Sequence, residues 1–178
     1  MTPQVLIVGA GPVGLTMAAE LARYGVAVRI VDKAARRTDK SKALVLWSRT
    51  LELLDRAGCA GAFVAVGLKA EAVNIIAENK VVGRIGFAGV DSAYPYALML
   101  AQSETERLLE AHLGSLGISV ERQVEVVGFT DSGAGVMTTL QHPDGRREAL
   151  EAAWLVGCDG AHSTVRHTLG LAFQGDTL

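Results

Sequence analysis

The stretch from Val5 to Gly14, VLIVGAGPVG, decides the fold of this chain. An apolar run typical of a buried strand stops at three glycines spaced as GxGxxG, and the residues from Leu15 continue with apolar positions at helical spacing. A second apolar run, from Val26 to Val31, ends in Asp32. Strand, glycine turn, helix, strand and acid in this order predict the nucleotide-binding half of a Rossmann unit.

Each glycine of this motif has a distinct role when a dinucleotide binds. We expect Gly9 to permit the tight turn, Gly11 to let backbone approach a pyrophosphate, and Gly14 to bring the helix close to the strand. The helix N-terminus then offers free N–H groups to the phosphates. Asp32 is placed to accept hydrogen bonds from ribose hydroxyls, which favours FAD or NAD over NADP. The alternative is a glycine-rich turn of another α/β protein.

The composition narrows the class of protein further. The 178 residues suffice for one domain, and a net charge of −2 gives no basic surface for nucleic acid or an acidic membrane. Cys59 and Cys158 form neither a disulfide framework nor a metal-ligand pattern, and the four histidines lack metal spacing. Without an apolar segment of signal or membrane-spanning length, the sequence predicts a cytoplasmic protein.

The rest of the chain continues an α/β pattern. We expect helices from Pro12 to Tyr24, from Ser48 to Ala57, and from a capping box at Ser103. A hairpin is predicted around residues 78–80, and three strands between 124 and 150 form a meander. A buried strand is predicted at 153–157. The fold class is therefore α/β, with a central parallel sheet and a β-meander crossover.

Three further segments follow the glycine motif in a particular order. The first joins Ser41-Lys42-Ala43-Leu44 to the helix that begins at Ser48. The second is QSETERLL, starting at Gln102. The third is GCDG, residues 157–160, followed by Ser163 and Arg166. With these motifs the whole chain resembles the N-terminal part of the FAD-dependent aromatic hydroxylases, which are single-component flavoprotein monooxygenases related to para-hydroxybenzoate hydroxylase, phenol hydroxylase and polyketide hydroxylases.

This resemblance implies a fold, a cofactor and a chemistry. It implies a Rossmann-like FAD-binding domain over residues 1–178, with residues about 70–100 starting a substrate-side β-sheet that Phe87, Tyr94 and Tyr96 could line. It also implies bound FAD, NADH or NADPH as transient reductant, and O₂-dependent hydroxylation of a small phenol- or polyketide-like substrate. It names no catalytic side chain. The implied cofactor-binding residues are Gly9, Gly11, Pro12, Val13, Gly14, Asp32, Lys33, Lys42, Gln102, Val124, Asp159, Gly160 and Arg166.

Two departures from the family pattern shape the functional hypotheses. Lys42 stands where the family usually has arginine, so the charge is kept while the planar, two-pronged donor is lost. Family members are also much longer, so we expect a truncated or N-terminal fragment. The alternatives are an FAD- or ADP-binding module without turnover, and a flavin-dependent reductase or halogenase of similar fold. Exposed sheet edges add the hypothesis of a homo-oligomer.

Overall fold

A computed structural model describes residues 2–39 and 43–175 of the chain. In chain order the strands and helices are β1 (Val5–Val8), α1 (Pro12–Arg23), β2 (Val28–Asp32), β3 (Val45–Leu46), α2 (Ser48–Arg56), α3 (Ala60–Val66), β4 (Leu68–Ala70), β5 (Ala72–Ala77), β6 (Lys80–Gly86), β7 (Ala97–Met99), α4 (Gln102–Ser115), β8 (Glu121–Arg122), β9 (Glu125–Asp131), β10 (Val136–Gln141), β11 (Arg147–Ala152), β12 (Trp154–Gly157) and α5 (Thr164–Thr168).

The chain divides into two compact units. Residues 1–37 and 109–178 form one, called here the parallel-sheet unit, and residues 38–108 form the other, called the inserted unit. Within the described residues no helix has the length and apolar character needed to span a bilayer.

A four-stranded parallel sheet organises the parallel-sheet unit. Its strand order is β12-β1-β2-β8, so the first strand of the chain pairs with both the second and the last. The side chains of β1 are all buried, as expected for the apolar run of a central parallel strand. Helix α1 buries Leu15, Ala18 and Ala19 on one stripe, and Gly25, with φ +75°, follows its end. The central parallel sheet predicted from the sequence is confirmed.

A three-stranded antiparallel sheet, formed by the strands between β8 and β12 in the sequence, belongs to the same unit. Its order is β11-β10-β9, which confirms the predicted meander. A turn at Asp144-Gly145, with φ +82° at the glycine, joins β10 to β11. The two sheets share one apolar core, which consists of Leu6, Val8, Val31, Val124, Val126, Leu140, Leu150, Ala152 and Val165.

The inserted unit contains a small sheet, a separate hairpin and two helices. Strands β3, β7 and β4 pair antiparallel in that order, and β5 pairs only with β6 among the described strands. The predicted hairpin is confirmed, and its turn places Glu78 and Asn79 at φ +48° and +63°. Leu51 and Phe63 are fully buried and anchor helices α2 and α3. Helix α3 and strand β3 were not predicted.

Three local expectations are wrong. Ser103 lies inside α4, which begins at Gln102, so it is not the N-cap residue; the backbone N–H groups of Glu104 and Thr105 donate instead to the Ala101 carbonyl. The strand at 153–157 is not buried as predicted, because β12 pairs only with β1 among the described strands and leaves Trp154 67% exposed. Trp47, which an apolar stripe shared with Leu51 and Leu54 predicts to lie in a core, is also exposed.

Candidate functional site

The candidate site lies where the parallel strands end. Because β1, β2 and β12 run parallel and adjacent, their carboxyl ends meet at one edge of the sheet, the edge at which open α/β folds bind ligands. The segments that follow these strands are the glycine loop, the turn after Asp32 and the segment containing Asp159. The structure therefore brings together three of the motifs that the sequence analysis singled out.

Two glycines of the loop are required by close packing. Gly9 has φ +99°, and a Cβ added there would lie 2.5 Å from the carbonyl oxygen of Cys158. A Cβ added at Gly14 would lie 1.9 Å from the carbonyl oxygen of Gly9. Backbone hydrogen bonds hold the start of the loop between the adjacent strands, because the N–H of Gly9 donates to the carbonyl of Val31 and the N–H of Cys158 donates to the carbonyl of Val8. The first and third glycines thus let β1, α1 and the end of β12 approach one another.

The middle glycine has a different environment. A Cβ added at Gly11 would meet no atom within 4 Å, and the residue has ordinary extended dihedrals of −77° and −175°. Gly11 is the N-cap of α1, and Pro12 follows in the first turn, where its missing N–H costs nothing. The side chain of Val13 is 67% exposed. The space above Gly11 is therefore open to a ligand, next to the positive end of a twelve-residue helix.

Asp32 ends β2 and holds the glycine loop in place. Its Oδ2 accepts a hydrogen bond of 2.6 Å from the backbone N–H of Ala10, and its Oδ1 accepts one of 2.8 Å from Ala34. Each carboxylate oxygen can accept more than one hydrogen bond, so the group keeps capacity for a ligand hydroxyl. Arg122 Nη1 lies 3.7 Å from Oδ2. Arg122 belongs to no sequence motif, and its place beside Asp32 follows from the order of strands in the sheet, which cannot be deduced from spacing along the chain.

Asp159 combines a structural role with an unused oxygen. Its Oδ2 accepts hydrogen bonds from the backbone N–H groups of Thr164 (2.6 Å) and Val165 (3.3 Å) at the start of α5. Its Oδ1 is buried and has no hydrogen-bond partner within the described part of the chain. Buried polar atoms in native proteins are rarely left unpaired, so this oxygen is a candidate acceptor for a ligand hydroxyl. Gly160, at φ +80°, turns the chain after it.

Arg166 supports the segment between β12 and α5. Its Nη1 donates to the carbonyl oxygen of Ala161 at 2.9 Å, and its guanidinium lies 5.1 Å from the centre of the Phe173 ring. Its backbone N–H donates to the hydroxyl of Ser163, the N-cap of α5. Arg166 thus makes several contacts within the chain, while its buried Nε has no hydrogen-bond partner among the described residues. Burial, followed by the charge of Asp159, raises the pKa of the Cys158 thiol, which disfavours a reactive thiolate there.

The remaining candidates lie in different places. Val124 donates its backbone N–H to the carbonyl of Asp32 and buries its side chain in the core, while Lys33 is exposed just after Asp32. Gln102 belongs to the inserted unit, where its Nε2 donates to Glu106 at 2.9 Å. Lys42 lies outside the described residues.

The geometry fits the ADP half of FAD, and known proteins point the same way. A family model described as an FAD binding domain matches residues 2–177. The chain is 42% identical over 176 residues to a 6-methylpretetramide 4-monooxygenase from Streptomyces rimosus, covering 98% of this chain and 31% of the relative. It is 30% identical to a pentachlorophenol 4-monooxygenase from Sphingobium chlorophenolicum, over 97% of this chain and 32% of that protein.

Solved structures show the same similarity. A p-nitrophenol 4-monooxygenase from Pseudomonas putida superposes with a TM-score of 0.93 at 28% identity, over 99% of this chain and 46% of that chain. An anhydrotetracycline hydroxylase from Streptomyces rimosus gives a TM-score of 0.90 at 37% identity, over 99% of this chain and 35% of that one. The chain thus spans about a third of the length of the curated relatives it matches.

Proposed function

Because the chain belongs to the FAD binding domain family, we propose that its site holds FAD and serves an aromatic monooxygenase. The protein would hydroxylate a phenol- or polyketide-like substrate with NADH or NADPH and O₂. The observation that carries the proposal is the open space at Gly11, between two closely packed glycines. At the same edge of the sheet, the buried Oδ1 of Asp159 has no hydrogen-bond partner among the described residues, which supports the proposal.

Different residues of the parallel-sheet unit would contact different parts of the cofactor. The open space at Gly11 and the first turn of α1, with Pro12 and Val13, would receive the pyrophosphate. Asp32 would accept from the adenosine ribose, and Asp159 Oδ1 from a hydroxyl of the cofactor. Gly160 and Arg166 would shape that acceptor by fixing the turn after β12. Lys33 and Val124, which adjoin Asp32, would border the adenosine.

Resemblance to the family also proposes Gln102 and Lys42 as cofactor residues. Residues about 70–100 would begin a substrate-side sheet. The aromatic candidates already pack on other aromatic rings, Phe87 against Trp47 with ring centres 5.8 Å apart, and Tyr94 against Tyr96 at 6.2 Å. Such pairs supply apolar surface of the kind that an aromatic substrate requires.

When bound, FAD would supply the redox chemistry, accepting hydride from NAD(P)H and activating O₂. The described residues would bind and orient it. A homo-oligomer and a cytoplasmic location are additional proposals. The first is supported by the exposed apolar side chains of β5 and β6, and the second by the free state of both cysteines.

Absorbance of the purified chain tests the proposal. We expect titrated FAD to bind with a shifted flavin spectrum, and ADP to displace it. Failure of both FAD and ADP to bind would contradict the proposed site.

If FAD binds, NADH and NADPH oxidation is measured with and without phenols. Stimulation by a phenol would support the monooxygenase. Binding without oxidation would favour the second candidate, a binding module without turnover, which is supported by the chain spanning only about a third of its relatives.

A further inference from the structure

A row of four alternating charges runs away from the candidate ribose site. Asp32 Oδ2 lies 3.7 Å from Arg122 Nη1, and Arg122 Nη2 donates to Glu110 Oε1 at 3.1 Å. The other oxygen of Glu110, Oε2, lies 2.9 Å from Nε of Arg37. All four residues belong to the parallel-sheet unit. The sequence motifs contain only Asp32, so the other three side chains have no function assigned so far.

Strand pairing sets the position of Arg122. Strand β8 extends the parallel sheet beside β2, and Arg122 is the register partner of Asp32. The backbone locks this arrangement, because the N–H of Val124 donates to the Asp32 carbonyl and the N–H of Gln123 donates to Ala34. The side chains of Asp32 and Arg122 are each only 17% exposed. Partial burial strengthens their attraction relative to that of an ion pair in open water.

The geometry indicates that Arg122 acts on Asp32 mainly as a charge. The separation of 3.7 Å is too long for a hydrogen bond, whereas the backbone N–H groups of Ala10 and Ala34 hold the two carboxylate oxygens at 2.6 and 2.8 Å. Glu110 in turn draws the guanidinium away from direct contact with Asp32. The lone pairs of Asp32 that the backbone does not use therefore stay available.

We propose that Arg122, anchored by Glu110 and Arg37, is a positioning residue that orients the Asp32 carboxylate toward the 2′-hydroxyl of the adenosine ribose. This inference rests on the proposed function. The charge of Arg122 holds the carboxylate in this orientation, and Glu110 prevents Arg122 from closing on it. The row thus determines how well the site distinguishes a ribose from a 2′-deoxyribose.

Two ligands that differ in one hydroxyl group test the proposal. Calorimetry on the full chain compares ADP with 2′-deoxy-ADP for the wild type, Arg122→Met, Arg122→Lys and Glu110→Gln. We expect the wild type to bind ADP more tightly than 2′-deoxy-ADP. Arg122→Met should lower the affinity for ADP about tenfold, as for loss of one charge-assisted hydrogen bond, and should change the affinity for 2′-deoxy-ADP little. Arg122→Lys restores the charge and should recover part of the preference. Arg23→Met, which removes an arginine paired with Glu20 on α1, is the matched control.

The outcomes separate this proposal from the proposed function. If Arg122→Met lowered the affinities for ADP and 2′-deoxy-ADP equally, the proposal would be overturned. An arginine with only a structural role would affect both ligands alike, because it does not act through the 2′-hydroxyl. A wild type that binds both ligands equally would overturn it too, while leaving the nucleotide site intact. A wild type that binds neither contradicts the proposed function itself. If Arg122→Met does not fold, Glu110→Gln decides, with a reduced ADP preference expected and an unchanged one contradicting the proposal.

Discussion

At the scale of single residues, we expect different glycines of the loop to affect stability and FAD affinity. Gly14→Ala should destabilise the chain by about 2–4 kcal/mol, because the new Cβ would lie 1.9 Å from the Gly9 carbonyl oxygen and backbone must move. Gly11→Ala should change stability by less than about 1 kcal/mol, since the residue has dihedrals that alanine adopts. Its methyl group would instead enter the space proposed for the pyrophosphate.

Denaturant unfolding and FAD titration of the two variants check this pair. Gly11→Ala should unfold like the wild type and lose FAD affinity, and Gly14→Ala should unfold at lower denaturant concentration. A Gly11→Ala variant that keeps full affinity would show that the pyrophosphate lies elsewhere.

Asp32 is a candidate site residue for which we expect two roles. Asp32→Ala should weaken FAD binding by about 1.5–3 kcal/mol, through loss of charge-assisted hydrogen bonds to the ribose. The sequence suggested only this effect. Because the carboxylate also accepts from Ala10 and Ala34, we expect an additional loss of stability on the order of 1 kcal/mol. Equilibrium unfolding without cofactor isolates the second effect, and unchanged apo stability would mean that these two hydrogen bonds contribute little.

At the scale of elements, the start of α5 provides a matched comparison. Ser163→Ala removes the N-cap that accepts from Arg166 N–H, and should cost about 1 kcal/mol of stability with FAD affinity retained. Asp159→Ala removes hydrogen bonds to the same helix and also Oδ1, which has no partner among the described residues, so it should lose both stability and FAD affinity. Thermal unfolding and flavin titration measure the two effects. Equal FAD affinities in the two variants would leave Asp159 with a capping role alone.

A second element-scale feature ties the two sheets of the parallel-sheet unit. Arg29 on β2 donates to Glu121 on β8 and to Glu148 on β11, and Glu148 also contacts His142 at 2.7 Å. The Arg29 hydrogen bond is the main cause that lowers the pKa of Glu148 from 4.5 to about 2. Glu148 therefore stabilises the folded chain above its ordinary pKa, and this contribution is lost as the pH falls from about 4.5 toward 2.

The free energy of unfolding at two pH values tests this contribution. The difference between wild type and Glu148→Gln should be on the order of 1 kcal/mol near neutral pH, and should shrink as the pH falls toward about 3. Glu104→Gln, which removes an exposed partner of Arg107, should show little difference at either pH. A Glu148→Gln difference that does not change with pH would contradict the assignment.

How far the sequence predicts the elements depends on their length and local signals. Helix α1 and strands β1 and β2 were predictable because apolar periodicity, glycines and an acid coincide within one short stretch. The β5–β6 hairpin was predictable from its turn residues. Helix α3 has only seven residues and begins after Cys59, which provides no side-chain cap, so its sequence lacks a start signal.

At the scale of the whole molecule, the parallel sheet, the meander and the family were predictable, while the neighbours of each strand were not. Arg122 became a candidate only when the structure placed β8 beside β2. The exposed edge position of β12 likewise depends on strand order, and the apolar sequence from Ala153 to Gly157 does not contain that information. Pairing between strands far apart in sequence is decided by tertiary packing. Motifs therefore predicted candidate residues, and the sheet order supplied their neighbours.

The packing of Gly9 against Cys158 has a consequence for how the protein is made. Strand β1 pairs with β12 in a register that joins Val5 to Trp154, so the glycine loop packs against a segment that lies far along the chain. Contacts this distant in sequence form late, because the intervening chain must first lose its freedom. On the ribosome, residues 9–14 emerge before their packing partner, and the proposed phosphate-binding loop is complete only after residue 158 has been synthesised and docked. Cofactor capture at this loop would therefore follow the pairing of β1 with β12.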